Sequence, residues 1–407
     1  MAKPKMAMIP STVGGSVYSV LPSNGDGDFD FSRASAATRI NAQGLIETVA
    51  IGDNRLNYPL LDGRVQTCPH LLLEPQRTNL IPYSEDFSNA AWVKTGLTVN
   101  TNQTLSPDGT LNADEVNITV ANAHYLFDSI SVSALTNYTF TFYVKKGTAT
   151  DVSYSILNAV NFTNIVNTTS YFNQISDTDW TRISVEFTTP SGCTSIRVYP
   201  LRDGSSIGTV YIYGASLEEG SYPTSYIVSN SGSATTRLAE VCDGSGNAST
   251  FNDSEGVLMA QIGALANDGT YRVFGLSDGT GNNRIIIYYN PNINNIELFI
   301  ASGGSAQTTL SVTLSDVKLF QKVAVKYKIN DISLWINGFE LRTDTNATMP
   351  IGLNELLFNG NNGVEPFYGK TKQVQYFDSV LTDSELETLT SWMSFSDMAI
   401  DLNYTIQ

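Results

Sequence analysis

Short runs of alternating apolar and polar residues carry most of the chain. "NYTFTFYVKK" sets Tyr138, Phe140, Phe142 and Val144 on one side of a strand, with threonines and Tyr143 on the other. "TRISVEFTTP" alternates Ile183, Val185 and Phe187 with Arg182, Ser184 and Glu186, and "TSIRVYPL" and "GTVYIYGASL" follow. A second set begins near residue 238 with "RVFGLSDG", "NRIIIYYNP", "NIELFIASGG" and "QKVAVKYKINDISLWINGFELR". Strands this short, separated by turn residues, predict antiparallel sandwiches. In the last run Asn337 and Gly338 form a two-residue hairpin signal, because both tolerate positive φ. It should join Ile332, Leu334 and Ile336 to Phe339 and Leu341. The clearest helix lies in "LTDSELETLTSW", where Thr382 and Glu385 spell a capping box. Leu386, Leu389 and Trp392 or Met393 would form its apolar stripe.

Residues 1–80 break this pattern. Aromatics are few (Tyr18, Phe29, Phe31, Tyr58) and turn formers are many. "PSNGDGDFDFSR" reads as a loop, and "GLIETVAIGDNRLNY" as two short strands around Gly52 and Asp53. "CPHLLLEPQRTNLIPYS" has no period. The expectation is an extended segment ordered by a partner surface. One pentapeptide occurs almost twice: SAATR at 35–39 and SATTR at 233–237. The stretch 216–237, which ends in the second copy, is too polar for a core strand, and the positions of the two copies suggest seams between modules.

Charge separates the same regions. The chain has 407 residues and a net charge of −16. Residues 1–80 hold seven basic and seven acidic side chains, so the remainder carries all of the excess. Such a chain repels phosphate backbones, and nucleic acid is excluded as a partner. No apolar run approaches the ~20 residues of a membrane helix. The start lacks the apolar core of a secretory signal. Cys68, Cys193 and Cys242 are odd in number and far apart, without disulfide or zinc spacing. Synthesis in a reducing cytoplasm is expected; release by lysis would still place the protein outside the cell.

The quoted strings also resemble known families. "YKINDISLWINGFEL" followed by "VQYFDSVLTDSELETL" resembles the concanavalin A-like, laminin-G/pentraxin sandwich over roughly residues 240–395. "NLIPYSEDFSNAAWVKTG", "YTFTFYVKKG", "DWTRISVEFTTP" and "VYIYGASLEEGSYPTSYIVSNSGSATTR" resemble the carbohydrate-binding-module-type jelly roll of tailed-phage structural proteins. The leading "MIPS…YSVLPSNGDGDFDFSRASAATRINAQGLIE…CPHLLLEPQRTNLI" resembles the opening of phage fibre and decoration proteins, including those of crAss-like phages. Together with the strand pattern, this implies an all-β chain in four parts. Residues 1–80 form a virion-attachment segment, 81–228 a jelly roll, 229–395 a laminin-G-like sandwich with a short helix, and 396–407 a tail. The implied role is a structural component of a phage particle, displayed at the virion surface as a head fibre, decoration or tail fibre. It would attach to host-surface or mucus glycans and bind capsid or tail proteins through residues 1–80. The apolar runs "MAMIP" and "HLLLEP" would be buried between copies, and fibres of this kind point to a homotrimer. The alternatives are a polysaccharide-degrading tailspike and a decoration protein without a ligand.

Candidate chemistry is sparse. The only histidines, His70 and His124, lie in different segments, and neither neighbours a G-x-S-x-G elbow. Glu218 and Glu219 are adjacent, so on a strand they face opposite ways, unlike paired glycosidase carboxylates. They read as solvated exit-loop charges, and no catalysis is expected. Asp26, Asp28 and Asp30 have a spacing that resembles a calcium loop, but Phe31 stands where an EF-hand needs glycine. Asp243 and Asp278 sit in similar oxygen-rich loops. Calcium is the one metal these loops suggest; the plain alternative is an Asp-Gly turn. For sugar stacking, Tyr125, Tyr154, Tyr171, Tyr271, Tyr289 and Tyr368 lie near strand ends or loops. Trp92, Trp180 and Trp335 fall in motifs that are structural in the resembled families.

Overall fold

A computed structural model describes residues 2–9, 17–61, 64–66, 68–361 and 363–402. The chain forms two antiparallel β-sandwiches, as the alternation predicts. In the first, one five-stranded sheet (sheet 1) runs Val93–Thr95, Tyr125–Ser131, Ser195–Arg202, Ser153–Asn158, Asn164–Ser170. Sheet 2 runs Leu97–Leu105, Leu111–Ile118, Gly208–Glu219, Asn137–Lys146, Thr181–Thr188. Tyr138, Phe140, Phe142 and Val144 face the core between them, with Ile183, Val185 and Phe187 beside them.

The second sandwich packs a nine-stranded sheet (sheet 3) on a five-stranded one (sheet 4). Sheet 4 runs Ser305–Thr313, Asn295–Ser302, Arg284–Tyr289, Arg272–Ser277, Glu355–Leu357. Sheet 3 is built around Glu255–Ala264, Gln321–Lys328, Ile332–Ile336 and Gly369–Phe377. The predicted hairpin is present. Asn337 and Gly338 have φ of 53° and 89°, and Ile336 pairs with Phe339. The helix spans Asp383–Thr390, shorter than the apolar stripe suggested. Its capping box is formed, and Leu386 and Leu389 pack on Trp335. Met393 lies beyond the helix and is exposed. A further short helix covers Phe395–Asp401, where a tail was expected.

Residues 1–80 differ most from expectation. Their described residues pair with the rest of the chain. Met6–Met8 pairs with the edge of Gly369–Phe377, and Ser19–Leu21 adds outside it. His70–Leu73 pairs with the same strand further along, and Leu56–Asn57 pairs with His70–Leu73. Asp30–Ser32 pairs with Val241–Asp243, and Arg77–Asn79 with Thr235–Arg237. The physical reason is twofold. A bare edge at Gly369–Phe377 would leave a row of unpaired backbone groups. The apolar runs also have a home within one chain: Met6, Met8, Leu71 and Leu73 enter the second sandwich's core. The motive for burying them between copies therefore disappears.

A buried ionic cluster locks this arrangement. Arg33 donates from Nη1 to Glu240 Oε1 at 2.9 Å, and Arg55 from Nε to the same oxygen at 2.7 Å. Arg55 Nη1 reaches Glu74 Oε2 at 2.7 Å, and Arg237 Nη1 reaches it at 2.9 Å. The Glu74 N–H donates to Glu240 Oε2 at 2.8 Å. Spare guanidinium N–H groups go to backbone carbonyls of Ser35, Ala50, Asp53, Thr38 and Pro75. Three members come from the N-terminal segment and two from the exit of the first sandwich. The repeated pentapeptides meet around this cluster rather than marking two separate seams. The Ser35 hydroxyl accepts from Leu238 N–H at 2.9 Å, and Arg237 is a cluster member. Arg39, the counterpart of Arg237, instead pairs with Glu47 at the surface.

This packing makes two outcomes testable. A Cβ on Gly338 would sit 2.7 Å from Ser391 Oγ, and the backbone there has positive φ. Gly338→Val should therefore destabilise by roughly 1–2 kcal/mol or more, read as a lower melting temperature; unchanged melting would mean that the hairpin relaxes. The second outcome concerns acid. Burial alone would raise the Glu74 carboxyl, but Arg237, Arg55 and the Ser225 hydroxyl outweigh it and hold it at about 2, against 4.5 for an unperturbed glutamate. A depressed carboxyl stabilises the fold above its unfolded value, and this contribution is lost as pH falls from 4.5 towards about 2. Melting temperature should drop through that window, and Glu74→Gln should flatten that part of the profile. An equally steep profile in the variant would remove Glu74 as the cause.

Candidate functional site

The alternation in sheet 1 sends Leu126, Ile130, Ile156, Ile196 and Val198 into the core. It sends Tyr125, Phe127, Leu157 and Tyr199 to the opposite face, where they form their own apolar cluster. A bulge helps to compose this face. Leu126 pairs with Leu201 and Asp128 with Val198, so Tyr199 and Pro200 together oppose Phe127. Tyr199 and Arg202 thereby stand on one side, three residues apart. Phe127 and Tyr199 have centroids 4.9 Å apart, and Tyr125 meets Tyr199 edge-on at 6.3 Å.

Two arginines lie against these rings. The Arg202 guanidinium is 4.8 Å from the Tyr199 centroid, and its Nη1 donates to Ser155 Oγ and Asn164 Oδ1, both at 3.2 Å. The Arg197 guanidinium sits between Phe127 at 4.6 Å and Phe162 at 5.2 Å. Among the described residues Arg197 Nε has no hydrogen-bond partner. Phe162 is unusual on two counts: it is 63% exposed and has φ of 59°. That conformation is costly for a bulky residue. The turn enforces it, since Phe162 N–H donates to Asn158 O at 2.9 Å and the Asn158 N–H donates to Thr163 O at 2.8 Å. Phe127 and Tyr199 are themselves buried, so the platform presented to solvent is the Phe162 ring, the part-exposed Tyr125 and the two arginines. Such a surface suits a ligand with an apolar face and peripheral acceptors.

Of the six tyrosines picked from sequence, Tyr125 belongs to this platform. Tyr171 and Tyr289 are 1% and 2% exposed and are core residues, so neither can stack on a sugar. Alternation at strand ends does not separate core from surface aromatics. The Tyr171 hydroxyl donates to Pro200 O at 2.9 Å, and Tyr154 stacks on the Tyr171 ring. Tyr271 is partly exposed on the second sandwich beside Tyr288, and Tyr368 is half-buried there. These positions do not converge with Tyr125. Phe162, Arg197 and Arg202 were not singled out from sequence. The one available signal was Phe162 itself, a lone aromatic in the turn-forming stretch "NAVNFTN".

The acidic candidates serve the fold. Among the described residues no three His, Cys, Asp or Glu side chains group as a metal site. Asp28 Oδ1 accepts from Ser19 N–H at 2.7 Å, and Asp26 Oδ2 from Asn24 at 2.8 Å. Asp30 lies opposite Asp243 in a strand pair. Asp243 Oδ1 accepts from Phe358 N–H and Asn359 Nδ2, and burial raises its carboxyl. Asp278 accepts from Thr280 and Asn283. Gly244 and Gly279 follow Asp243 and Asp278 with positive φ, as Asp-Gly turns require. These donor sets do not fit a calcium site. Glu218 corrects a second expectation. It is buried, not solvated, and accepts hydrogen bonds from Thr224 and Ser216, with burial raising its carboxyl. The exit segment folds back over sheet 2 and covers it. His70 and His124 are buried in different sandwiches.

No protein-family model matches the chain, and no curated protein matches it. Solved structures give partial similarities. The CBM40 of Ruminococcus gnavus IT-sialidase, solved with α2,3-sialyllactose, is 18% identical, with a TM-score of 0.31, covering 37% of this chain and 94% of that one. Domain 4 of AbnA, a Geobacillus stearothermophilus arabinanase, is 14% identical (TM-score 0.32; 42% of this chain, 83% of that one). The enzymatically active domain of bacteriophage CBA120 tailspike protein 4 is 16% identical (TM-score 0.27; 34% of this chain, 21% of that one). At these identities and scores the resemblance is one of partial shape.

Because Phe162 strains the backbone and fills no core, its removal should not weaken the fold. Phe162→Gly should melt within about 1 kcal/mol of the wild type, because relief of the backbone strain offsets the missing ring–guanidinium stacking. A larger loss of stability, measured by denaturant titration, would make the ring a structural element.

Proposed function

We propose that the protein is a non-catalytic attachment component of a bacteriophage particle, and that the first sandwich binds glycans on the Phe162–Arg197–Arg202 face. The observation that carries the binding role is Phe162: an exposed ring, held in a strained conformation, that lies against the Arg197 guanidinium. Strain of this kind, without core packing to justify it, points to function. A pyranose has an apolar C–H face for the ring and hydroxyls for Arg197 and Asn164. Single-site affinity would be weak, and many copies on one particle would raise it.

The phage assignment rests on the N-terminal and exit strings, which resemble phage fibre and decoration proteins. Residues 1–80 remain the proposed particle-facing side. Their strand Ser19–Leu21 closes one edge of sheet 3 and leaves Val20 exposed. No copy number is proposed, because the apolar runs that suggested a trimer are buried within one chain. The non-catalytic reading is supported by the divergence of Glu218 and Glu219, one buried against Thr224 and the other exposed.

A glycan array probed with full-length protein tests the binding role. The wild type should bind a defined set of oligosaccharides. Phe162→Gly and Arg197→Ala should each lower apparent affinity for that set by at least ~tenfold, equivalent to about 1.4 kcal/mol, with the fold intact by circular dichroism. Full binding by both variants would remove this face from the proposal.

A further inference from the structure

A second concavity lies on the other side of the first sandwich, where sheet 2 meets the N-terminal segment. Its floor is the outer side of the strands Asn137–Lys146 and Thr181–Thr188, in which Tyr143 pairs with Arg182. Its walls are the hairpin Ala37–Ile40/Ile46–Val49 and the stretch from Asn57 to Leu60. Two chambers of about 320 and 360 Å³ share Ile40, Ile46, Leu60, Tyr143 and Trp180. Each falls within the ~300–1,000 Å³ of small-molecule sites, which favour junctions between structural units.

Trp180 is the central residue. Sequence resemblance marked it as structural, yet its ring lines both chambers and is only half-buried. The indole is fixed by its Nε1–H, which donates to Leu105 O at 2.9 Å, and Lys145 Nζ lies 5.3 Å from its centroid. Arg182 lines the first chamber. Its Nη1 and Nη2 donate to Thr224 O at 2.7 Å and Thr141 Oγ1 at 3.0 Å, while its Nε has no partner among the described residues. Each terminal nitrogen gives one of its two N–H groups to these anchors, which fixes the guanidinium in the groove. Arg39, held by Glu47 at 3.1 Å, stands on the facing wall.

We infer that this groove is a second carbohydrate site, with a pyranose ring against Trp180 and ligand oxygens at the Arg39 and Arg182 guanidinium groups that line it. The chemistry argues for a sugar rather than a fully apolar ligand. The indole offers a flat apolar wall, and the guanidinium donors around it call for acceptors on the same ligand. The site is composite: sheet 2 supplies the stacking ring and the N-terminal segment supplies the opposite wall. It forms only when that segment is seated by the Arg33–Arg55–Glu74–Arg237–Glu240 cluster. The inference shares with the preceding section the reading of the protein as a glycan binder, and its test separates the two.

Leu60 is 48% exposed and lines both chambers, so Leu60→Arg fills the groove at little cost to the core. Full-length wild type, Leu60→Arg and Phe162→Gly are compared on one array of short neutral and uronic-acid pyranose oligosaccharides. Leu60→Arg should lower affinity at least ~tenfold for a subset of spots that Phe162→Gly leaves unchanged. As a second readout, the oligosaccharide from such a spot should alter tryptophan emission in the wild type and not in Trp180→Phe. Trp92 and Trp335 are buried, and Trp392 is on the second sandwich, where its Nε1–H donates to Asp401. If Leu60→Arg keeps every wild-type spot, or Trp180→Phe keeps the emission change, the groove is not a sugar site and the Phe162 face stands alone. A wild type that binds no spot overturns both sites.

Discussion

Three guanidinium groups and two carboxylates meet out of water where the two sandwiches join. Buried charge is tolerable only when it is paired and its remaining hydrogen-bonding groups are satisfied. Here Arg33, Arg55 and Glu74 come from the N-terminal segment, and Arg237 and Glu240 from the chain beyond the first sandwich. None can be buried without the others. The requirement fixes where residues 1–80 go: back across the joint, rather than away from the molecule. Burial of this kind contributes little net stability. Its effect is on specificity, since a displaced segment would leave unpaired charges behind.

The remaining architecture is consistent with that constraint. Once the segment is seated, Met6–Met8 and His70–Leu73 reach the open edge of Gly369–Phe377 and fill the second core. The same seating places the hairpin Ala37–Ile40/Ile46–Val49 over Trp180 and creates the groove on sheet 2. Sheet 1 has no such cover, which leaves Phe162, the part-exposed Tyr125 and the two arginines at the surface over the buried Phe127–Tyr199 pair. One aromatic surface thus belongs to the first sandwich alone, and the other needs the segment.

What could be read from sequence was what local pattern determines. Phe140 and Phe142 were legible because their strand alternates over ten residues. Asn337–Gly338 and Thr382–Glu385 were legible because turn and cap chemistry is local. Of the N-terminal strands, Ile46–Val49 and Leu56–Asn57 were legible from the turn at Gly52 and Asp53; the others, two to four residues long, are too short for a period to show. Nothing local marks Arg33 and Arg55 for burial, and only tertiary structure buries them; the equal count of acids and bases in residues 1–80 was their one trace. Tyr171 and Tyr289 show the converse error, since a tyrosine at a strand end carries no mark of whether its ring turns inward. Phe162 escaped notice because its importance lies in a backbone angle, and its neighbours are ordinary turn formers.

Hydrogen exchange of the free, full-length protein tests the central claim that the N-terminal segment belongs to the fold. Leu72 N–H donates to Arg55 O, and Glu74 N–H to Glu240. These amides, with those of Arg77–Asn79, should be protected to the same degree as the central strand Gly208–Glu219 of the first sandwich. Exchange of the segment at the rate of an unfolded peptide, with the sandwiches still protected, would contradict the account and return residues 1–80 to the status of a segment awaiting a partner.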